Sequence, residues 1–352
     1  MSGPATPRPG LRGVGPYHSP QLDAVARLNT NECPYPLPEA FVEALTERVR
    51  AISLNRYPDG QMTELRTALG ASVGLAVERT WAANGSNEII TQLLLAYGGP
   101  DRRAVVFEPT YLLHSRLAWL TRTEVVAFRL DPPWRLTSRD VAAAVDARPD
   151  VVFVCSPNNP TGNSHPTEVV AALAAETDAL VVVDEAYIEF GGATSLPLIA
   201  AHPNVVVVRT LSKAFALAGA RVGYALAEPA VIGDLERVRL PYHLSALSQA
   251  AGIVALEHAP AAGSILGRVR DQRDRIVREL GAMADVSVHP SDANFVLFDP
   301  GRPAAGVWGE LLERGVLVRD LSSVVPNALR VTAGTEHEVD LFLKSLEEVL
   351  SG

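Results

Sequence analysis

RTLSKAFALAGARVGY, residues 209–224, places Lys213 and, eight positions later, Arg221 among small and apolar neighbours, directly after the strand-like run NVVVV. A solvated surface helix carries charges along one face about every other turn, so two isolated cations here need partners from elsewhere in the fold. The run before them is one of a series. RAVVFEP (103–109), TEVVAF (123–128), VVFVCSP (151–157), LVVVDEA (180–186), NVVVVRT (204–210) and RVGYALA (221–227) are short, valine-rich and bounded by turn residues. Helical patterns separate several of them, as in SNEIITQLLLAYGG (86–99) and TEVVAALAAET (167–177). Apolar strands alternating with helices predict an α/β architecture with a mostly parallel central sheet covered on both faces.

Outward from this block the composition changes. The first thirty residues are rich in Pro and Gly without periodicity and read as an extended arm. Beyond about residue 258 come a charged helix RVRDQRDRIVREL, then NFVLF, WGELLERG, VLVRD, LRVTAG and a final amphipathic helix, the pattern of a smaller α+β lobe. The expected organisation is an arm over 1–27, a large ligand-binding domain over 28–258 and a small C-terminal domain over 259–352. No internal repeat stands out.

Bulk properties narrow the function. With 352 residues, 47% of them hydrophobic, the chain can bury a sizeable core. Lys plus Arg number 31 against 40 for Asp plus Glu, and the net charge of −9 argues against nucleic acid or an anionic membrane as the main partner. Cys33 and Cys155 match no zinc spacing and cannot form a disulfide framework, so reduced thiols in a cytoplasmic setting and no metal are expected. The N-terminus lacks a signal-peptide core, and no stretch approaches the roughly 20 apolar residues of a membrane span.

Polar residues fall where the strands end. Ligands of open parallel sheets bind at the carboxyl ends of strands, where loops emerge and helix N-termini point inward. VVFVCS runs into PNNPTG with Asn159, LVVV into Asp184, and NVVVV into Ser212 and Lys213, so an amide, a carboxylate and an amine converge on one sheet edge. Each alone reads as a turn residue, a helix cap or a surface charge. Together they suit one ligand, pyridoxal 5'-phosphate. Its aldehyde needs a lysine, and Lys213 in apolar surroundings beside a cation is a suitable nucleophile. Its ring nitrogen needs a buried carboxylate to stay protonated, a role for Asp184. Asn159 and Tyr187 are candidate donors to its ring hydroxyl oxygen. Its phosphate needs amides at a helix start plus a cation, available from Gly85, Ser86 and Asn87 with Ser212 and Arg221.

The series NGSNE, EPTY, CSPNNPTG, DEAYIEF and RTLSKAFALAGARVGY resembles the fold-type I aminotransferases and, more narrowly, the histidinol-phosphate aminotransferases. PYHSP, RLNTNECPYPLPEA, NRYPDG, SDANFVLF, GVLVRD and LRVTAGT extend the likeness over nearly the whole chain. The resemblance implies the three-layer PLP-dependent transferase fold and amino transfer between L-histidinol phosphate and 2-oxoglutarate in histidine biosynthesis, yielding imidazole-acetol phosphate and L-glutamate. It also implies site roles. Lys213, Asp184 and Tyr187 would be catalytic, Tyr111 would stack on the cofactor ring, and Tyr57 would reach the cofactor phosphate of the neighbouring subunit in a homodimer. Arg330 would bind the carboxylate of glutamate, and Arg319 and Tyr17 the phosphate of the imidazole substrate, with Asn159 also lining the substrate side. NECPYP departs from the commoner Asn-Glu-Asn-Pro form at Cys33, which bears on substrate preference.

Competing readings within the same chemistry are an aromatic (phenylalanine) aminotransferase, a decarboxylase of a phosphorylated amino acid and a transaminase of a specialised biosynthetic pathway. Outside it, an NAD-dependent dehydrogenase needs G-x-G-x-x-G after an early strand, whereas Gly13-Val14-Gly15 lies in the arm. The P-loop pattern is absent. A non-catalytic regulator on this fold is expected to carry a DNA-binding domain in front, for which the chain leaves no room, and an inactive relative is expected to have lost Lys213.

Overall fold

The computed structural model describes residues 5–6, 8, 10–11, 15 and 20–351. Its strands in chain order are β1 (Ala26–Arg27), β2 (Thr80–Ala83), β3 (Arg103–Glu108), β4 (Glu124–Arg129), β5 (Val151–Cys155), β6 (Leu180–Asp184), β7 (Val205–Thr210), β8 (Gly223–Leu226), β9 (Ser287–Val288), β10 (Phe295–Asp299), β11 (Val316–Leu317), β12 (Arg319–Asp320) and β13 (Leu329–Thr332). A seven-stranded sheet runs β2-β8-β7-β6-β5-β3-β4. The predicted runs all become strands of it. Every residue of β5, β6 and β7 is buried, because helices cover both faces, and β4 at the edge is half exposed. Between strands the helices Ser86–Tyr97 and Thr167–Glu176 form where the 3.6-residue periodicity placed them.

One strand runs against the others. β8 is antiparallel to both β7 and β2, while β3 to β7 pair in parallel. The start of β8 therefore lies at the edge where β2 and β7 finish: Gly223 faces Ala83 on one side and Thr210 on the other. The register Cys155↔Asp184↔Val208 levels the tips of β5, β6 and β7 along that same edge.

Past the helix Ala259–Leu280 a four-stranded antiparallel sheet, β12-β13-β10-β9, is covered by the helices Ala304–Glu313 and Glu336–Ser351. Two hydrophobic cores result. The first surrounds the large sheet, and the second joins Phe295, Phe298, Val331 and Phe342 to Ala26, Leu28, Tyr35, Tyr187 and Phe190. β1 pairs in parallel with β11, joining Ala26–Arg27 to Val316–Leu317. No helix among the described residues is long and apolar enough to cross a membrane.

Candidate active site

The anion-binding half of the site is made where β2, β8 and a helix start meet. Gly85 precedes the helix Ser86–Tyr97 at φ +85°, and no side chain among the described residues caps that helix. Its first amides are thus left open toward the sheet edge, with the positive end of the helix dipole behind them. A Cβ on Gly85 would stand 2.3 Å from Arg221 Nη2, and one on Gly223 would stand 2.3 Å from the Ser86 amide nitrogen. Both positions need glycine for close approach. Arg221, itself left-handed at φ +56°, donates from Nη1 to Ser212 Oγ at 3.2 Å and to the Ala218 carbonyl at 3.3 Å. Thr210 donates to Ser212 Oγ at 2.9 Å, fixing that hydroxyl. Gly85, Ser86, Ser212 and Arg221 therefore form one cradle, and Asn87 in the same first turn accepts a 3.2 Å bond from the Tyr111 hydroxyl.

Asp184 ends β6 with its side chain buried. Its Oδ2 lies 3.1 Å from His114 Nε2, and its Oδ1 accepts from the Ala186 amide at 3.2 Å. A carboxylate only accepts, so the His114 hydrogen belongs on Nε2. The His114 ring is fully buried, stacked on Phe153 at 4.8 Å and met edge-on by Tyr111 at 5.4 Å. This clamp holds the carboxylate in one orientation. The adjacent Glu185 is turned elsewhere, receiving Arg209 Nη2 at 2.9 Å and Thr194 Oγ1 at 2.8 Å, a structural ion pair.

Lys213 lies beyond β7, partly buried, with Nζ 3.3 Å from the Thr30 carbonyl and 5.9 Å from the centre of the Tyr187 ring. Burial, then the charges of Arg330 and Arg221, pull its amine down to about 8, against an opposing pull from Glu32. The Tyr187 hydroxyl accepts from Asn31 Nδ2 at 3.0 Å, and burial pushes its phenol up, so it keeps a hydrogen to donate. Asn159 Oδ1 accepts from Arg330 Nη1, which leaves the Asn159 amide hydrogens for a ligand. Arg330 also donates to the Asn29 carbonyl at 3.0 Å and lies 4.9 Å above the Phe295 ring. Across the β12–β13 ladder Arg319 and Arg330 are direct partners.

Of the expected site residues, the structure thus gathers Gly85, Ser86, Asn87, Tyr111, Asn159, Asp184, Tyr187, Ser212, Lys213, Arg221, Arg319 and Arg330 along the sheet edge and the facing ladder. Tyr57 stands apart: 80% exposed, it stacks on Tyr242 at 4.4 Å. Tyr17 lies outside the described residues. Asp184's buried partner His114, and the segment Thr30–Glu32, were not singled out from sequence. The signal for His114 is its position three residues past Tyr111, and for Asn31 it is an asparagine between strand and turn, the residue type that tolerates its observed φ of +55°.

The family model for aminotransferase class I and II matches residues 23–346. The chain is 48% identical over 361 aligned positions to the histidinol-phosphate aminotransferase of Frankia casuarinae, covering 98% of this chain and 90% of that one. It is 49% identical over 359 positions to that of Streptomyces avermitilis, covering 97% and 96%. Among solved structures, histidinol-phosphate aminotransferase from Sinorhizobium meliloti in complex with pyridoxal-5'-phosphate superposes with a TM-score of 0.86 at 24% identity, over 94% of this chain and 92% of that one, a likeness of fold.

Proposed function

This chain belongs to the class I and II aminotransferases, and from that premise we propose that it moves an amino group between L-histidinol phosphate and 2-oxoglutarate, giving imidazole-acetol phosphate and L-glutamate. It is a pyridoxal-phosphate-dependent transaminase of fold type I. The residues present fit that cofactor. A helix start without a side-chain cap, a glycine whose missing Cβ makes room for Arg221, and a buried carboxylate braced by His114 match a phosphate and a protonated ring nitrogen.

When bound, pyridoxal phosphate supplies a carbonyl for the amine and an electron sink for the bond that is broken beside it. The chain supplies the rest. Gly85–Asn87, Ser212 and Arg221 hold the phosphate. Asp184 keeps a proton on the ring nitrogen, and Asn159 and Tyr187 donate to the ring oxygen. Lys213 Nζ, with its proton affinity lowered to about 8, gives up its proton at a lower pH than an ordinary lysine and removes the proton from the amine-bearing carbon of the donor. Tyr111 would stack on the ring of the bound cofactor. Arg319 and Arg330 receive the phosphate of one substrate and the carboxylate of the other, since a guanidinium pairs with either. The family resemblance adds Tyr17, outside the described residues, to the groups that would bind the substrate phosphate.

The observation that carries the substrate assignment is the 48–49% identity over nearly the whole chain to histidinol-phosphate aminotransferases, with Arg319 and Arg330 held as cross-strand neighbours in β12 and β13. A phosphate monoester answers both charges, whereas an aromatic amino acid brings a single carboxylate. The test is a donor panel with 2-oxoglutarate: histidinol phosphate against phenylalanine, tyrosine, histidine and leucine. Histidinol phosphate is expected to lead in kcat/KM, and a wide preference for phenylalanine would move the assignment to an aromatic aminotransferase.

The same reading includes a homodimer in which Tyr57 completes the partner's phosphate site, supported by its exposure and its stacking on the exposed Tyr242. It treats 28–258 as the cofactor domain and 259–352 as the small domain. A cytoplasmic setting accords with two free thiols, Cys33 and Cys155, both pushed up by burial and so poorly reactive.

A further inference from the structure

A line of buried hydroxyl and amide groups runs from the small domain to Tyr187. Thr332 lies on β13 two residues past Arg330, and the segment 28–31 rides on that strand. The Thr332 amide donates to the Leu28 carbonyl at 2.9 Å, Arg330 Nη2 to the Asn29 carbonyl at 3.0 Å, and the Asn31 amide to Thr332 Oγ1 at 3.0 Å. The Asn31 carbonyl accepts from Asn294 Nδ2 at 3.2 Å, which ties it to the residue before β10 as well. Asn31, Thr332 and Tyr187 are all buried, where an unmade hydrogen bond is costly.

The direction of each bond follows from counting hydrogens. The Thr332 oxygen takes the Asn31 main-chain hydrogen, and its own single hydrogen goes to Asn31 Oδ1 at 3.1 Å. With Oδ1 receiving that hydrogen, the side-chain amide presents Nδ2 to the Tyr187 hydroxyl at 3.0 Å. A phenol that accepts on this side has its one hydrogen left to give on another. We infer that Asn31, its amide turned by Thr332, is the positioning residue that aims the Tyr187 hydrogen at the cofactor ring oxygen. Asn31→Asp reverses the aim, because both carboxylate oxygens accept and the Tyr187 hydrogen turns toward them. The left-handed φ of +55° at this position suits Asn and Asp alike, so the exchange leaves the backbone in place. Since Thr332 and Arg330 share β13, the strand that carries the substrate arginine also sets this hydrogen.

The inference rests on the reading of Tyr187 as a donor to the ring oxygen, and the experiment separates the two. A donor to that oxygen competes with the proton the oxygen shares with the nitrogen joining Lys213 to the cofactor, so losing the donor raises the pH at which this proton leaves. The readout is an absorbance titration of the cofactor-loaded enzyme without substrate. Tyr187→Phe is expected to move the midpoint up by about one pH unit or more, the effect of one charge-assisted hydrogen bond. Asn31→Asp is expected to shift it as far in the otherwise unaltered enzyme and to add little when combined with Tyr187→Phe, which leaves no hydrogen to turn. Thr332→Val frees the Asn31 amide to rotate and is expected to raise the midpoint, whereas Thr332→Ser keeps the hydroxyl and is expected to retain the original value. These variants read the same hydrogen from two sides, so failure of one to fold leaves the other as the test. An Asn31→Asp shift undiminished by Tyr187→Phe reports added charge alone and overturns the inference, as do unmoved midpoints in both Asn31→Asp and Thr332→Val. If Tyr187→Phe itself leaves the midpoint in place, the role read for Tyr187 fails and the inference falls with it.

Discussion

Lys213 is poised by its surroundings at a cost to the fold. In the unfolded chain its amine has the ordinary lysine value of 10.5, and in the fold about 8. Between those values the unfolded chain holds a proton that the folded one has lost, so the stability of the cofactor-free protein rises with pH across that window. Below pH 8 both states are charged and the full cost of charging a desolvated amine is felt. Lys213→Met is therefore expected to stabilise the cofactor-free protein at neutral pH by about 1–3 kcal/mol, and by much less above pH 10.5. Denaturant melts of both proteins at the two pH values check this, and a gain independent of pH would show that the lysine is not held against its charge. The same substitution is expected to cut transamination by at least about a thousandfold, through loss of both the amine that holds the cofactor and the general base.

At the scale of elements, the reversal of β8 decides the site. A sheet parallel throughout would deliver Arg221 to the opposite edge from Lys213. Because β7 and β8 are joined by the twelve-residue return 211–222 and run antiparallel, Thr210 faces Gly223, and Arg221 returns beside Ser212 and the helix starting at Ser86. Contact this close between β8 and the helix start depends on Gly223. Gly223→Ala places a methyl 2.3 Å from the Ser86 nitrogen and 2.4 Å from the Gly85 carbonyl carbon, both backbone atoms that cannot swing aside. It is expected to destabilise the protein by about 2–4 kcal/mol and to weaken cofactor retention at least tenfold, as measured by thermal melts and by equilibrium dialysis. Retention equal to that of the unaltered enzyme would mean that the helix start is not the phosphate seat.

For the whole molecule, the site lies on the seam between two hydrophobic cores, with Tyr187 in the core of the small domain although it follows the large sheet's β6. Leu54 (71%), Tyr57 (80%) and Leu240 (72%) are exposed, Tyr57 stacking on Tyr242, and the proposed homodimer would bury them. Sedimentation is expected to give twice the chain mass. Leu240→Asp is expected to shift that mass toward the monomer and to lower cofactor affinity with it, because Tyr57 then reaches no partner. A monomeric variant with undiminished cofactor affinity would rule out the shared site.

The strand-forming runs, the helices between them and the tips carrying Asn159, Asp184 and Lys213 could be read from the sequence, because hydrophobic periodicity and turn residues are local properties and parallel strands must present their ends together. Arg319 and Arg330 came only through resemblance to a family, since eleven positions of separation say nothing about register. Their direct pairing arises from the β12–β13 ladder. His114, Asn31 and Thr30 could not be assigned from local pattern, because what gives them meaning is a contact across 70, 156 and 183 positions: His114 with Asp184, Asn31 with Tyr187, and Thr30 with Lys213. The sequence by itself determined which groups are present and on which kind of element. Tertiary structure alone decided which charges share a pocket, because electrostatic coupling depends on distance in space and chain order does not encode that distance.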